Sequence, residues 1–112
     1  MTALNRQPVQ PFSISVAPGD HEAVVTSTGE LDLVSAPLLQ REVQLLLRAG
    51  FDHVVLDLRH IEFMDSTGLQ VLLSLRNSAQ RDGQRLILVA GRNEVQRIFD
   101  ITATRGLFDW RA

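Results

Sequence analysis

The sequence predicts a single α/β domain with a mixed, mostly parallel β-sheet, and three observations lead to this prediction. A segment that alternates apolar and polar residues precedes Pro18-Gly19-Asp20, a turn signal, and a second strand-like segment follows it, which is typical of a β-hairpin. After them, short apolar runs alternate with segments of helical periodicity, which indicates parallel strands joined by right-handed crossovers. The chain has 112 residues, the usual size of one domain. The predicted element order is β-β-α-β-α-β-α.

The N-terminal hairpin is predicted from residues 12–16 and 23–29. A first helix follows, with Ser35 as its expected N-cap and Pro37 in its first turn. Its apolar residues recur at helical spacing until Gly50, which is placed to end it. The next segment, residues 53–58, is rich in β-branched and other apolar residues, so we expect a central strand that is buried on both faces.

The C-terminal half repeats this alternation. A second helix is predicted from the region of Ser66 to Asp82-Gly83, and a buried strand over residues 85–89. A third helix covers residues 95–102. The closing segment, residues 107–110, ends in Trp110 and is expected to cover the core.

Composition and charge argue against several classes of function. The net charge is −2 with interspersed signs, so we do not expect nucleic acid to be a partner. The chain has no cysteine and no apolar run as long as a membrane span, which fits a cytoplasmic protein without a membrane span. Its three histidines show no metal-ligand spacing, so we expect neither a metal nor a cofactor. Residues 1–11 are polar and are predicted to be a disordered tail before a domain at 12–112.

The segment Phe63 to Leu69 is the most informative part of the chain. It joins a buried strand to a helix and places Ser66 where the helix begins, beside N–H groups that have no partner within the helix. A helix N-terminus also favours anions. Ser66 is therefore predicted either to cap the helix or to carry a phosphate. Thr67 is an alternative capping residue, which would leave Ser66 free.

Three blocks of residues resemble the STAS domain, the fold of bacterial anti-sigma factor antagonists. The specific block is Val54 to Leu58 leading into Asp65-Ser66-Thr67-Gly68-Leu69, which is similar to the family's D-S-[ST]-G-[LI] signature. The other two are Gly29-Glu30-Leu31-Asp32 with Ser35-Ala36-Pro37, and the helical segment 95–102. The family commonly ends its last helix with T-G-L. Here Ala103 follows Thr102, so the helix end departs from the pattern.

This resemblance implies a regulatory partner switch. The unphosphorylated protein would bind an anti-sigma factor that is also a serine kinase, and so release the sigma factor. Phosphorylation of Ser66 would abolish binding, and a serine phosphatase would restore it. The residues expected at the partner surface are Asp32, Asp65, Ser66, Thr67 and Gly68. Asp65 is either a capping acid or a group that orients the kinase reaction. Gly68 is expected to let a partner or phosphate approach, with tight packing as the alternative.

Two competing functions remain. An enzyme with Ser66 as nucleophile is disfavoured, because Met64 replaces the first glycine of G-x-S-x-G and all three histidines precede Ser66. We therefore expect no enzymatic activity. A STAS scaffold in a stress-signalling complex, or an accessory subunit of a lipid transporter, would share the fold and motif. The protein is expected to be a monomer or a weak dimer.

Overall fold

The computed structural model describes residues 11–112, so the predicted tail lies outside the described residues except for Pro11. Five strands form one sheet in the order β1-β2-β3-β4-β5, in which β1 and β2 are antiparallel and all other neighbours are parallel. The predicted α/β class and hairpin are confirmed. The elements are β1 (Ser13–Pro18), β2 (Glu22–Leu31), α1 (Ala36–Arg48), β3 (His53–Met64), α2 (Ser66–Arg81), β4 (Arg85–Val89), α3 (Asn93–Ile101), a short 3-10 turn (Arg105–Leu107) and β5 (Asp109–Arg111).

One continuous core joins the sheet to the helices. The parallel strands follow one another in chain order, so right-handed crossovers place α1, α2 and α3 on one face. Leu39 and Val43 of α1, Leu72 of α2 and Phe99 of α3 are fully buried and pack into the same cluster. None of the helices within residues 11–112 is long and apolar enough to cross a membrane.

The central strand β3 extends well beyond its predicted end. Residues 54–58 are buried in succession, as expected for a strand in the middle of a sheet. The prediction ended the strand at Leu58, but β3 continues to Met64 by pairing with the second half of β2. Two register shifts accompany this extension, and Arg59 and His60 are exposed. The extension therefore carries the polar residues that are typical of a loop.

The closing segment forms a strand that was not predicted. β5 pairs in parallel with β4, and Trp110 lies opposite Leu88. Trp110 and Phe108 both pack edge-on against Phe99, with ring centroids 5.0 and 5.4 Å from the Phe99 ring. The prediction that this segment covers the core is confirmed, and the aromatic contacts fix the short edge strand in place.

The pairing of β2 with β3 positions the candidate site. Leu31 and Met64, the last residues of these strands, lie opposite each other in parallel register. The residues that follow them, Asp32 and Asp65, therefore leave the sheet side by side at its carboxyl edge. This is the edge at which parallel α/β sheets usually bind ligands.

Candidate functional site

Asp65 is the N-cap of α2. Its backbone is extended, with φ −102° and ψ −173°, and its Oδ1 accepts hydrogen bonds from the N–H groups of Thr67 at 2.9 Å and Gly68 at 3.1 Å. These are two of the N–H groups that a helix leaves unpaired at its start. Of the two predicted roles of Asp65, capping is the one that its contacts support.

Ser66 is the first residue of α2 and is exposed. Its hydroxyl makes no hydrogen bond to any residue in the range 11–112. Of the two roles predicted for Ser66, capping is therefore wrong, because Asp65 occupies the N-cap position one residue earlier. The hydroxyl is left free at the positive end of the helix dipole.

Thr67 and Gly68 differ in what they offer to a partner. Thr67 is half-buried and its backbone N–H is bound by the cap, Asp65, so the alternative that Thr67 caps the helix is not observed. Gly68 is buried, and a Cβ added there would lie 2.8 Å from Cγ of Met64 and 3.0 Å from the carbonyl oxygen of Leu31. The structure contradicts the expectation that Gly68 opens the backbone to a partner and favours the tight-packing alternative.

Asp32 organises the loop between β2 and α1. Its Oδ1 accepts from the backbone N–H groups of Val34 at 3.0 Å and Ser35 at 3.1 Å. The Ser35 hydroxyl donates to the carbonyl of Glu30 at 2.6 Å and accepts from the N–H of Asp32 at 2.9 Å. Ser35 occupies the predicted N-cap position, but its hydroxyl bonds backward into the loop and makes no capping hydrogen bond to α1.

These hydrogen bonds set the ionisation of Asp32. Two donated backbone N–H bonds, with that of Ser35 the largest contribution, lower the pKa of the Asp32 carboxyl below its usual value. The group is therefore a carboxylate at neutral pH. No ion pair within residues 11–112 includes Asp32 or Asp65, so both carboxylates contribute negative charge to this edge of the sheet.

Three exposed apolar residues at this edge were not singled out from the sequence. Leu33 and Val34 form the apex of the Asp32 loop and are 71% and 79% exposed. Phe63, 48% exposed, lies near the end of β3, opposite Glu30. The available signal was an apolar pair in a loop segment, where neither strand nor helix periodicity gives it a core to face.

The three histidines do not form a site. His21 lies 3.2 Å from the carboxylate of Asp52 at the opposite edge of the sheet, before β3 begins. His60 is exposed on the outer part of β3. Within the described part of the chain, no group of three or more His, Cys, Asp and Glu side chains is arranged to hold a metal ion.

Comparison with known proteins places this architecture in a family. Residues 13–110 match the STAS domain. Among curated proteins, the chain is 30% identical to an anti-sigma-B factor antagonist of Bacillus subtilis (strain 168) over 98 residues, which are 88% of this chain and 89% of that protein.

Solved structures show the same fold. An anti-sigma factor antagonist from Mycobacterium paratuberculosis superposes with a TM-score of 0.80 at 25% identity, covering 89% of this chain and 85% of that one. The anti-sigma factor antagonist SpoIIAA gives TM-scores of 0.75 unphosphorylated, at 17% identity over 89% of each chain, and 0.68 phosphorylated, at 16% over 91% and 92%. The match to the family covers nearly the whole chain and agrees with the observed sheet order, so this protein belongs to the STAS domain family.

Proposed function

We propose that this protein is an anti-sigma factor antagonist whose binding to its anti-sigma factor is controlled by phosphorylation of Ser66. The observation that carries the proposal is that capping and exposure fall on two different residues at the start of α2. Asp65 satisfies the helix end, and the Ser66 hydroxyl is exposed without a hydrogen-bond partner in residues 11–112. A hydroxyl without a structural task is available to a protein kinase.

The names of the relatives support the regulatory class. The Bacillus subtilis relative is an anti-sigma-B factor antagonist, and the Mycobacterium paratuberculosis structure is an anti-sigma factor antagonist. The SpoIIAA structures include a phosphorylated form with the same fold. A STAS domain can therefore carry a phosphate and remain folded. The proposal implies a cytoplasmic protein that performs no catalysis of its own.

The physical effect of the phosphate is a change of surface charge. A phosphoserine adds about −1.5 to −2 charge at pH 7. Asp65 already accepts the N–H groups of Thr67 and Gly68, so these donors do not have to be rebuilt around the phosphate. The new charge projects from the surface beside two carboxylates. Burying it against an uncharged partner surface is costly, and a loss of about 3 kcal/mol weakens binding roughly a hundredfold.

The kinase assay is the first test. The full chain is incubated with the purified anti-sigma factor of the serine-kinase class and ATP, and the product is mapped by mass spectrometry. One phosphate on Ser66 is expected, with none on Ser66→Ala. Ser74→Ala is the matched control, since Ser74 is an exposed serine further along α2. Phosphate accepted by Ser66→Ala would refute the assignment.

The binding assay is the second test. Wild-type protein is expected to bind the anti-sigma factor, and Ser66→Asp to bind it roughly a hundredfold more weakly. A serine phosphatase should restore binding of the phosphorylated protein. If the chain fails to bind an anti-sigma factor but is recovered with a transporter ATPase or a stress-signalling assembly, the accessory-subunit or scaffold function replaces this proposal.

A further inference from the structure

We propose that Leu33 and Val34 are the apolar anchor of the anti-sigma factor interface, and that Asp32 is a positioning residue that holds this anchor in place. The inference rests on the proposed function and specifies which residues make the contact. The anti-sigma factor would then have an apolar pocket for two adjacent aliphatic side chains. This pocket would lie beside the surface of the anti-sigma factor that faces Ser66.

The exposure of the pair is the first observation. Leu33 and Val34 are 71% and 79% exposed, and among the large hydrophobic residues of the described chain only Ile101, at 72%, is exposed to a similar degree. They are consecutive in the turn between β2 and α1, whereas Ile101 has no exposed large hydrophobic neighbour in sequence. Single exposed apolar residues are normal on protein surfaces, but an exposed pair fixed at the apex of a loop is unusual and typical of an interaction site.

The rigidity of the loop is the second observation. Between Glu30 and Ala36 the loop holds five hydrogen bonds of 2.6–3.1 Å: three are accepted by Asp32, one is accepted by the Ser35 hydroxyl, and one is donated by that hydroxyl. A loop that is already fixed loses little conformational entropy when it binds. The hydrogen bonds therefore pre-organise the apolar pair for docking.

The role of Asp32 follows from the same contacts. Its Oδ1 is occupied by the N–H groups of Val34 and Ser35, and it lies 3.2 Å from the Ser35 hydroxyl. A carboxylate oxygen engaged in this way is committed to the loop. Asp32 thus affects the partner through the position of Leu33 and Val34, and its charge is not required.

The position beside Ser66 links the anchor to the switch. The N–H of Asp65 donates to the carbonyl of Leu31 at 3.2 Å, which fixes the start of α2 against the start of the Asp32 loop. A phosphate on Ser66 therefore lies on the same edge of the sheet as the anchor. When the apolar pair enters the partner's pocket, the charge of the phosphate would have to be desolvated. This cost connects phosphorylation to loss of docking.

The test compares variants of the full chain for binding to the purified anti-sigma factor kinase. The double variant Leu33→Ser/Val34→Ser is expected to weaken binding at least about tenfold. Ile101→Ser is the matched control, because Ile101 is 72% exposed but lies at the far end of α3. The control is expected to bind like wild type. Equal binding by the double variant and wild type would overturn the inference.

Asp32→Asn and Asp32→Ala separate positioning from direct contact. The asparagine side-chain oxygen can still accept the loop N–H groups, so Asp32→Asn is expected to bind within about threefold of wild type, whereas Asp32→Ala weakens binding about tenfold. In the Leu33→Ser/Val34→Ser background, Asp32→Ala should add little. The carboxylate itself contacts the partner if Asp32→Asn binds as weakly as Asp32→Ala, or if the losses in binding free energy add fully in the combined variant.

Folding and function are controlled separately. Thermal melts of Leu33→Ser/Val34→Ser and Ile101→Ser are expected to match wild type, since the substituted side chains are exposed. Asp32→Ala loses the acceptor of two loop N–H groups and is expected to melt lower than Asp32→Asn, while remaining folded at the temperature of the binding assay. If the double variant melts well below wild type, Val34→Ser alone is measured: weaker binding supports the anchor, and binding equal to wild type overturns it. Wild-type protein that binds no anti-sigma factor would refute the proposed function. If the wild type binds, Ser66→Asp abolishes that binding and Leu33→Ser/Val34→Ser leaves it intact, only the anchor is refuted.

Discussion

The backbone N–H of Asp65 donates to the carbonyl oxygen of Leu31 across 3.2 Å, and this bond ties the cap of α2 to the end of β2. Leu31 is also opposite Met64 in the sheet, so the two loops at this edge share one rigid base. The cap, the serine and the Asp32 loop therefore hold a fixed geometry.

Replacing Asp65 with alanine should destabilise the protein. The change removes the acceptor of the Thr67 and Gly68 N–H groups, and loss of an N-cap typically costs about 0.5–2 kcal/mol. Urea unfolding measures the difference. Asp65→Asn is the control and should retain most of the stability, because asparagine caps about as well as aspartate. Equal stability of Asp65→Ala and wild type would mean that Ser66 or Thr67 takes over the cap.

Replacing Gly68 with alanine should destabilise the protein through a steric clash. The new Cβ would lie 3.0 Å from the Leu31 carbonyl oxygen, a backbone atom that is fixed in the sheet, and 2.8 Å from Met64 Cγ. Overpacking of this kind costs about 1–3 kcal/mol.

The matched control for this substitution is Gly106→Ala. A Cβ at Gly106 would meet no atom within 4 Å, so its unfolding free energy should stay within about 0.5 kcal/mol of wild type. Equal effects at the two positions in urea unfolding would show that helix propensity decides the outcome and that close packing of Gly68 does not.

The fold could be predicted from sequence where periodicity was strong, and it was missed where pairing is set by distant residues. The helices and the core strands repeat apolar residues at regular spacing, and each of them is present. The outer half of β3 and the short β5 lack that signal: Arg59 and His60 are exposed like loop residues, and β5 is held by aromatic contacts to Phe99. Such tertiary contacts override local preference.

The start of α2 was predicted to the correct turn, but the sequence left open which residue caps the helix. Aspartate, serine and threonine are all good N-caps, so the order Asp65-Ser66-Thr67 allows three helix starts that differ by one residue. Tertiary contact decides among them, because the N–H of Asp65 is bound to Leu31 and the helix begins at the next residue. The exposure of Leu33 and Val34 was not predicted, because an apolar side chain in a loop has no periodic pattern that indicates whether it points inward.

Ala103→Gly should stabilise the protein. Ala103 has φ +56°, and the bonds from Ala103 N to Asp100 O and from Thr104 N to Phe99 O form the Schellman motif that ends α3. This left-handed position costs a residue with a Cβ about 1–2 kcal/mol. Glycine removes that cost but gains unfolded-state entropy, so the net gain should be about 0.5–1 kcal/mol.

Gly83→Ala is the control for this prediction, because it is the reverse substitution at the equivalent position after α2. Gly83 has φ +72° and makes the same pair of end bonds for α2, through Gly83 N to Gln80 O and Gln84 N to Ala79 O. Alanine there should destabilise by about 1 kcal/mol in urea unfolding. A destabilising Ala103→Gly would mean that the alanine methyl group makes contacts whose value exceeds the backbone strain.

Asp57 should give the protein a pH-dependent part of its stability. Its side chain is 7% exposed and binds the Arg59 guanidinium at 2.8 Å and the Arg59 N–H at 2.9 Å. The Arg59 hydrogen bonds lower the pKa of the Asp57 carboxyl in the folded state. The stabilisation is therefore complete above the ordinary carboxyl pKa and is lost as the pH falls through the lowered value.

The corresponding experiment compares wild type with Asp57→Asn by urea unfolding across pH. At pH 7 the variant should be less stable by roughly 1.5–3 kcal/mol, the range for hydrogen bonds to charged groups. The difference should shrink below about pH 4, where carboxylates take up protons. Arg59→Gln, which removes the guanidinium, should reduce the same acid-sensitive part. A difference that stays constant into the acid range would exclude this linkage.

Ser66→Asp should leave the stability of the fold nearly unchanged while it weakens partner binding. A negative charge in the first turn of α2 interacts favourably with the helix dipole by about 0.3–1 kcal/mol, and repulsion from the neighbouring Asp65 opposes this gain. We therefore expect an unfolding free energy within about 1 kcal/mol of wild type. Gln80→Asp, which puts the same charge in the last turn, should be destabilising. If Ser66→Asp or the phosphorylated chain melts far below wild type, phosphorylation would act by unfolding the site, and the switch would not be a change of surface charge on an intact domain.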